Sequence, residues 1–382
     1  MLFIINSNII MKKGVVNGTI YIPERKKIYH VKNELIENIL KNKKLPLQIK
    51  GSGGGEKVEI KKINNFSDYF NSLPEIDSVY IDITNACNLR CAGCYSYKTN
   101  KTKNISIDSL LKIRKIKSKK QTKLVILGGE PLLYPIKKMA FLFSQWCNDF
   151  KKTIIFTNGY YLNDEWSDLI LKYNISLRFT LYSFSEIVHN KYTKNNESFS
   201  RVLKSIEMAK NRMIKYKINL ILQEDEYKRR GELLNESGFK LENVFFDLVR
   251  PMSGCNSDRY FEVKEKNKKN KKPIVYKSLP NAIRDEFYQS CHTGKLSISV
   301  DGLASSCPWD KDKHTLMLDD EKFGMKLNNK WLNPIANNFI YCKSCEFSHL
   351  CFNCPSLNKN DEFNKRPSNC NYNPFSGVTE ND

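Results

Sequence analysis

Three cysteines stand close together in Thr84-Asn85-Ala86-Cys87-Asn88-Leu89-Arg90-Cys91-Ala92-Gly93-Cys94-Tyr95, separated by three and two residues. On one short loop they can wrap a single compact centre. Four thiolates close a zinc or an iron-sulfur site, whereas three hold a 4Fe-4S cluster and leave one iron open to an outside ligand. A zinc site that borrows a distant fourth ligand is the alternative on spacing alone. A second group runs Cys291, then Gly302 and Cys307, then Cys342-x2-Cys345-x5-Cys351-x2-Cys354, and last Cys370. Its compact quartet, taken alone, suits a zinc ribbon as well as an iron cluster.

Other short motifs accompany the first loop. The run Leu127-Gly128-Gly129-Glu130-Pro131-Leu132-Leu133 pairs two glycines, which let backbone approach a ligand closely, with a carboxylate able to accept a hydrogen bond from an ammonium group. Thr157-Asn158-Gly159 and Thr180-Leu181-Tyr182-Ser183 follow at later strand ends. These motifs need a scaffold, and the chain has the pattern for one. Short β-rich apolar runs at 79–84, 123–127, 153–157, 176–181, 217–222 and 244–249 alternate with amphipathic stretches at 106–119, 135–149, 163–173, 198–213 and 226–237. Alternation of this kind predicts a parallel sheet with helices outside it. Six such units fall short of a closed eight-stranded barrel, so the fold class expected is α/β, a partial (β/α)6 TIM-like barrel.

Before the barrel, residues 1–75 read as a small α+β segment. It holds a hairpin over 15–22 turning on Asn17-Gly18, a strand over 27–31, and a short helix bearing Leu35, Ile36, Ile39 and Leu40. Gly51-Ser52-Gly53-Gly54-Gly55 reads as a flexible join; Lys57 lacks the Ser or Thr and the spacing of a phosphate loop. The barrel is expected over 76–255 and a solvated basic linker over 256–285, where 264–273 reads KEKNKKNKKP. Residues 286–382 lack helical periodicity and are expected to form a metal-organised, cysteine-rich module.

The composition, 41% hydrophobic and 27% charged, excludes wholesale disorder. No apolar run reaches the length of a membrane span and no signal-peptide pattern opens the chain, so a cytoplasmic protein is expected. A formal charge of +21 attracts polyanions or acidic proteins, although lysine accompanied by abundant asparagine and isoleucine also marks a biased genome. Reduced thiols in such a compartment serve metal or redox chemistry.

The loop Cys87-x3-Cys91-x2-Cys94 at the first strand end, followed one βα unit later by Gly128-Gly129-Glu130-Pro131, resembles the radical S-adenosylmethionine (SAM) superfamily. The seven-cysteine series resembles the SPASM extension of those enzymes, with two rather than three residues before Cys354. The resemblance implies that Cys87, Cys91 and Cys94 carry a 4Fe-4S cluster whose open iron binds SAM through its amino and carboxylate groups. It implies that Gly128, Gly129, Glu130 and Pro131 contact SAM and that Thr180 offers its hydroxyl to the ribose. Tyr182 replaces an acid found in many relatives. Gly93 takes a position that is often aromatic in the family; by the same likeness its backbone meets the adenine, with Tyr95 supplying ring surface. The SPASM likeness implies that Cys342, Cys345, Cys351 and Cys370 hold one auxiliary 4Fe-4S cluster, and that Cys291, Cys307 and Cys354 hold a second, completed by Cys255. Cys147 is left as a core residue. No catalytic base is assigned: the acid that follows the G-x4-C cysteine in sulfatase maturases is Pro308 here, with Asp310 a weak substitute.

The implied function is maturation of a ribosomally made precursor peptide by crosslinking or oxidation, with a reduced flavodoxin or ferredoxin as electron donor. The leading segment either grips a leader peptide or caps the barrel. Sulfatase-maturase or peptide-epimerase chemistry on the same scaffold is the enzymatic alternative. A basic nucleic-acid-binding protein with zinc on its cysteines is the non-enzymatic one, although aromatics are missing from the basic run. No membrane partner is expected.

Overall fold

A computed structural model describes residues 1–50, 57–70, 76–92, 94, 101–113, 122–146, 148–248, 274–288, 294–308, 316–317, 339–351, 364, 366 and 370–379. The chain forms two compact units, Met1–Pro74 with Lys264–Thr293 and Trp331–Asp382, and Glu75–Val263 with Gly294–Lys330. The sequence divides differently, at 75, 255 and 285. Its leading segment and its cysteine-rich end, expected as separate modules, share one unit because the contacts joining them span about three hundred positions and leave no local pattern.

In the first unit, β1 (Leu2–Ile5), β2 (Ile9–Lys13), β3 (Asn17–Ile22), β4 (Lys27–Lys32) and β5 (Ile60–Ile63) form an antiparallel sheet in the order β4-β3-β2-β1-β5. Alternation along the strands divides their apolar side chains between two faces. Phe3, Ile5, Met11 and Ile20 pack on Ile36 and Ile39 of helix α1 (Asn33–Asn42). Leu2, Ile4, Ile10 and Tyr21 pack on Ala282 and Ile283 of the helix Leu279–Phe287 and on Leu350. A short helix, α2 (Leu47–Lys50), follows α1. The hairpin expected on Asn17-Gly18 turns earlier instead: Lys13 pairs with Gly18, and the Asn17 carbonyl accepts from the Gly14 N–H at 2.9 Å. Gly18 is a strand residue with no room for a side chain, since a Cβ there would stand 2.8 Å from Ile36 and 2.9 Å from the Lys12 carbonyl oxygen. Part of the segment expected as linker is the helix Leu279–Phe287, whose apolar face covers the sheet.

The second unit contains all six expected strands: β6 (Ser78–Thr84), β7 (Lys123–Gly128), β8 (Lys152–Thr157), β9 (Ser176–Leu181), β10 (Tyr216–Leu222) and β11 (Val244–Leu248), each parallel to its neighbours. Helices α3 (Ile107–Lys112), α4 (Ile136–Trp146), α5 (Asp164–Lys172), α6 (Glu186–Thr193), α7 (Ser198–Asn211), α8 (Glu224–Lys228) and α9 (Arg230–Ser237) connect them. The sheet is larger than expected. Strands β12 (Lys295–Ile298), β13 (Leu303–Ser305) and β14 (Leu316–Met317) extend it past β6, so the order is β11-β10-β9-β8-β7-β6-β12-β13-β14. The sequence also misses α6, whose weak amphipathicity hides it.

Register separates the two faces of this sheet. Ile81, Ile126, Ile155, Leu177, Phe179 and Leu220 share the fully buried face, together with Leu296 and Ile298 of β12. Burying each such side chain contributes roughly 1.5–3 kcal/mol. The opposite face is mixed and part open, carrying Tyr80, Phe156, Arg178, Thr180, Asn219 and Phe245. An aliphatic face that packs and a polar face that stays accessible are what a ligand-bearing barrel wall requires.

Candidate functional site

The first cysteine loop leaves the carboxyl end of β6 and is bound to the next strand end by backbone. The Gly129 N–H donates to the Thr84 carbonyl at 2.7 Å and the Glu130 N–H to that of Ala86 at 2.7 Å. Glycine is required at both crossing points. A Cβ would lie 2.2 Å from the Thr84 oxygen at Gly128, where φ is +127°, and 2.1 Å from the Ala86 oxygen at Gly129. The sequence assigns these glycines to a ligand's approach; the geometry shows a chain-to-chain approach that joins the two motifs. From another side, the Tyr192 and Thr193 carbonyls at the end of α6 accept from the Ala92 and Arg90 N–H groups at 2.9 and 3.1 Å.

The loop gathers its thiols. Cys87, Cys91 and Cys94 lie within electrostatic reach of one another, and burial pushes Cys87 up to about 11 and Cys91 to about 12. Cys87 Sγ accepts from the Leu89 N–H at 3.4 Å and from Asn158 Nδ2 at 3.9 Å. Thiols raised in this way are neutral at pH 7, so a bound metal centre must displace their protons.

Glu130 is fully buried, and burial lifts its carboxyl to about 7 against the pull of three donors. Oε1 accepts from the Leu132 N–H at 3.0 Å and the Thr157 hydroxyl at 2.7 Å; Oε2 accepts from the Asn158 N–H at 2.7 Å. The carboxylate expected to receive an ammonium group thus ties the Gly128–Pro131 turn to Thr157-Asn158-Gly159. Oε2 keeps one acceptor position. Pro131 is buried and begins the 3-10 turn Pro131–Leu133.

Thr180 is half-buried on the accessible face of β9, on the same face as Arg178 and level with Asn219. Just beyond the strand, the Tyr182 ring stacks on Tyr192 with centroids 4.2 Å apart, and its N–H donates to His189 Nδ1 at 3.2 Å. Burial pushes His189 down to about 4, which keeps that nitrogen an acceptor. Sequence reasoning finds no role for His189 and passes over Tyr192, since neither belongs to a motif.

The second group is held by different means. Cys342 and Cys345 bracket the end of the helix Ile340–Ser344, and Cys351 follows two turns later. Cys342, Cys345, Cys351 and Cys370 act electrostatically on one another, and burial pushes Cys342 and Cys345 up to about 12 and raises Cys351 as well. Residues 346–350 are all buried, and polar side chains of the amino-terminal sheet anchor them. Lys12, itself buried, pairs with Glu286 at 2.6 Å and bonds Ser348. The Thr19 hydroxyl donates to the Glu346 carbonyl at 2.9 Å. His30 Nε2 lies 2.7 Å from the Glu346 carboxylate, to which the Tyr372 hydroxyl also donates. Lys277 pairs with Asp285 at 3.0 Å and reaches the His349 and Cys351 carbonyls at 3.3 and 3.4 Å. The one sequence signal for these anchors is a lysine inside the apolar run of β2.

Cys307 is buried after β13, its carbonyl accepting from the Ser305 hydroxyl at 2.8 Å. Gly93, Tyr95, Cys147, Cys255, Cys291, Asp310 and Cys354 lie outside the described residues. Among the described residues no three Cys, His, Asp or Glu are gathered to hold a single metal ion, and no helix is long and apolar enough to cross a membrane.

Residues 81–236 match the family model "Radical SAM superfamily". The chain is 25% identical over 305 residues to a GTP 3',8-cyclase of Clostridium perfringens, covering 69% of this chain and 86% of the relative. It is 20% identical over 348 residues to a cysteine-type anaerobic sulfatase-maturating enzyme of Clostridium novyi, covering 76% and 89%. Among solved structures it is similar to Streptococcus suis SuiB bound to precursor peptide SuiA, with a TM-score of 0.59, 13% identity, and 96% and 99% of the two chains covered. It is also similar to anSMEcpe with bound AdoMet and the Cp18Cys peptide, with a TM-score of 0.57, 15% identity, and 78% and 93% covered.

Proposed function

We propose that this chain, a radical SAM protein through residues 81–236, matures a ribosomally made peptide by crosslinking or oxidising its side chains. The cofactors of the family, SAM and 4Fe-4S clusters, suit the donor sets present: three half-buried thiols within electrostatic reach of one another at a strand end, and four more around residues 342–370. When bound, they supply a 5′-deoxyadenosyl radical that removes hydrogen from an unactivated carbon.

The chain's own residues do the rest. Cys87, Cys91 and Cys94 hold the first cluster and leave one iron free for SAM. Glu130 locks the neighbouring turns so that Gly128 to Pro131 present fixed backbone toward it. Thr180 offers a hydroxyl to the SAM ribose, and the accessible face around Phe156, Asn219 and Phe245 positions the substrate and excludes water. Cys342, Cys345, Cys351 and Cys370 would hold an auxiliary cluster, which would supply a redox centre for the substrate. Cys307 belongs to a second one.

The observation that carries the peptide reading is the pairing of two thiol groups in one chain, the second anchored to an amino-terminal sheet. Among the described residues the edge strand β4 pairs only with β3, and its free edge suits a leader peptide adding as a strand. SuiB, solved with a bound precursor peptide, and anSMEcpe, solved with a bound peptide, support the same substrate class. An acidic flavodoxin or ferredoxin suits a chain of charge +21 as reductant in the cytoplasm.

The test is mass spectrometry after incubating reconstituted protein with SAM, a reductant and the short peptides encoded beside its gene. A loss of two hydrogens from one peptide is the expected result. Unchanged mass with inverted chirality would indicate epimerisation, and oxidation confined to a sulfatase-derived peptide would indicate the sulfatase-maturase alternative. Consumption of GTP with every peptide untouched would overturn the reading.

A further inference from the structure

The mixed face of the barrel sheet carries one cation that no described carboxylate answers. Arg178 of β9 stands in register between Phe156 of β8 and Lys217 of β10. Its guanidinium is centred 5.4 Å from the Phe156 ring and 4.5 Å from the Phe245 ring, so rings from strands on either side of β9 flank it. The side chain is half-buried, and its Nε is shut off from water with no hydrogen-bond acceptor. Other arginines of this unit are provided for. Arg212 reaches Asp164 at 2.9 Å and also Asp168, and Arg229 reaches Glu232 at 2.6 Å.

Leaving that guanidinium unpaired is costly, because burial disfavours its charge and an arginine does not shed its proton near neutral pH. Aromatic faces offset part of the loss, yet they give the N–H groups no lone pair to meet. The surroundings add charge of the same sign: Lys217 stands opposite Arg178, and Lys123 stands opposite Lys152 across β7 and β8. Lys217 Nζ is itself engaged by the Glu242 carbonyl at 2.5 Å. The fold gains little from this arrangement, whereas an anion arriving on this face gains from all of it. Arg178 offers two N–H groups in a planar fork, the match for one carboxylate. The flanking rings, Phe245 being 48% exposed, suit the methylene stem of an acidic side chain. Thr180 lies on the same face two residues nearer the carboxyl end of β9, about 7 Å on.

We propose that Arg178 is a substrate-binding residue: it takes the carboxylate of an acidic side chain of the peptide, with Phe156 and Phe245 packing on that side chain's stem, and so sets which neighbouring residue comes level with Thr180. The proposal rests on the peptide reading and adds to it a sequence requirement, a glutamate or aspartate beside the residue that is modified.

The test is a saturation-transfer NMR titration of the reconstituted full chain with SAM present, using two blocked tripeptides that differ only in a central glutamate or glutamine. The wild type is expected to bind the glutamate form about tenfold more tightly, since only a carboxylate accepts from both N–H groups. In Arg178→Met the two forms are expected to bind alike. Its denaturant midpoint is expected to be no lower than that of the wild type, because among the described residues Arg178 makes no hydrogen bond or ion pair. Should Arg178→Met not fold, Arg178→Lys keeps the charge without the fork and is expected to narrow the preference to about threefold. Binding needs no turnover, so 5′-deoxyadenosine formation and peptide mass report the proposed function separately, and failure of either leaves the preference measurable. Equal binding of the two tripeptides by the wild type, or a preference that survives substitution of Arg178, would overturn the proposal. So would displacement of the glutamate form by GTP in the wild type, which would make this a phosphate site.

Discussion

The two thiol groups are built on opposite plans. Around Cys87, Cys91 and Cys94 the supports are main-chain hydrogen bonds from adjacent strand ends and from α6, with glycines where backbones cross. Around Cys342, Cys345, Cys351 and Cys370 they are buried side chains of a distant sheet, with Lys12, Glu286, Lys277 and Asp285 in ion pairs. A backbone-held loop tolerates change in most of its side chains. A loop held by buried charges does not, because removing one partner strands the other.

The largest expected difference between the groups comes from the thiols themselves. Cys91→Ala is expected to reduce SAM cleavage to background. Cys345→Ala should keep cleavage measurable, lose about four of roughly twelve irons and stop peptide turnover; iron analysis and 5′-deoxyadenosine production check both. Equal cleavage by wild type and Cys91→Ala would erase the distinction. Next in size, Lys12→Met leaves Glu286 without its cation and is expected to cost about 3 kcal/mol, read by denaturant unfolding, whereas Lys12→Met with Glu286→Met recovers most of it. In the backbone-held region the matching change is smaller: Glu130→Gln removes one acceptor from three donors and is expected to cost about 2 kcal/mol.

An effect of similar size is one of pH. His189 has its folded pKa depressed to about 4 from an ordinary 6.5, so the folded chain binds fewer protons than the unfolded chain between those values. Stability is therefore lost as pH falls through that window, by about 2 kcal/mol at pH 5 relative to pH 7. His189→Asn is expected to flatten the dependence. A slope that persists in the variant would place its source elsewhere.

How much is legible in the sequence follows the same divide. The parallel strands and the first cysteine loop are readable because their determinants are local: apolar runs of strand length, a cysteine triplet, and glycines at a strand end. The anchors of the second group are not, because Lys12, Thr19 and His30 meet Glu286, Glu346 and Ser348 across about three hundred residues. Strand β12 is hidden for the same reason, as its partner β6 lies about two hundred residues earlier. Gly18 misleads because Asn-Gly is the strongest short hairpin signal, yet the close approach of Ile36 explains that glycine better.

The central claim is that Cys87, Cys91 and Cys94 supply three ligands to a cluster and leave a coordination position for SAM. Electron paramagnetic resonance of the reduced, anaerobically reconstituted chain, recorded before and after adding SAM, tests it most directly. A signal that changes with SAM in the wild type, and is missing when the three cysteines are replaced by alanine, is the predicted result. A signal indifferent to SAM, or zinc bound in place of iron, would contradict the claim.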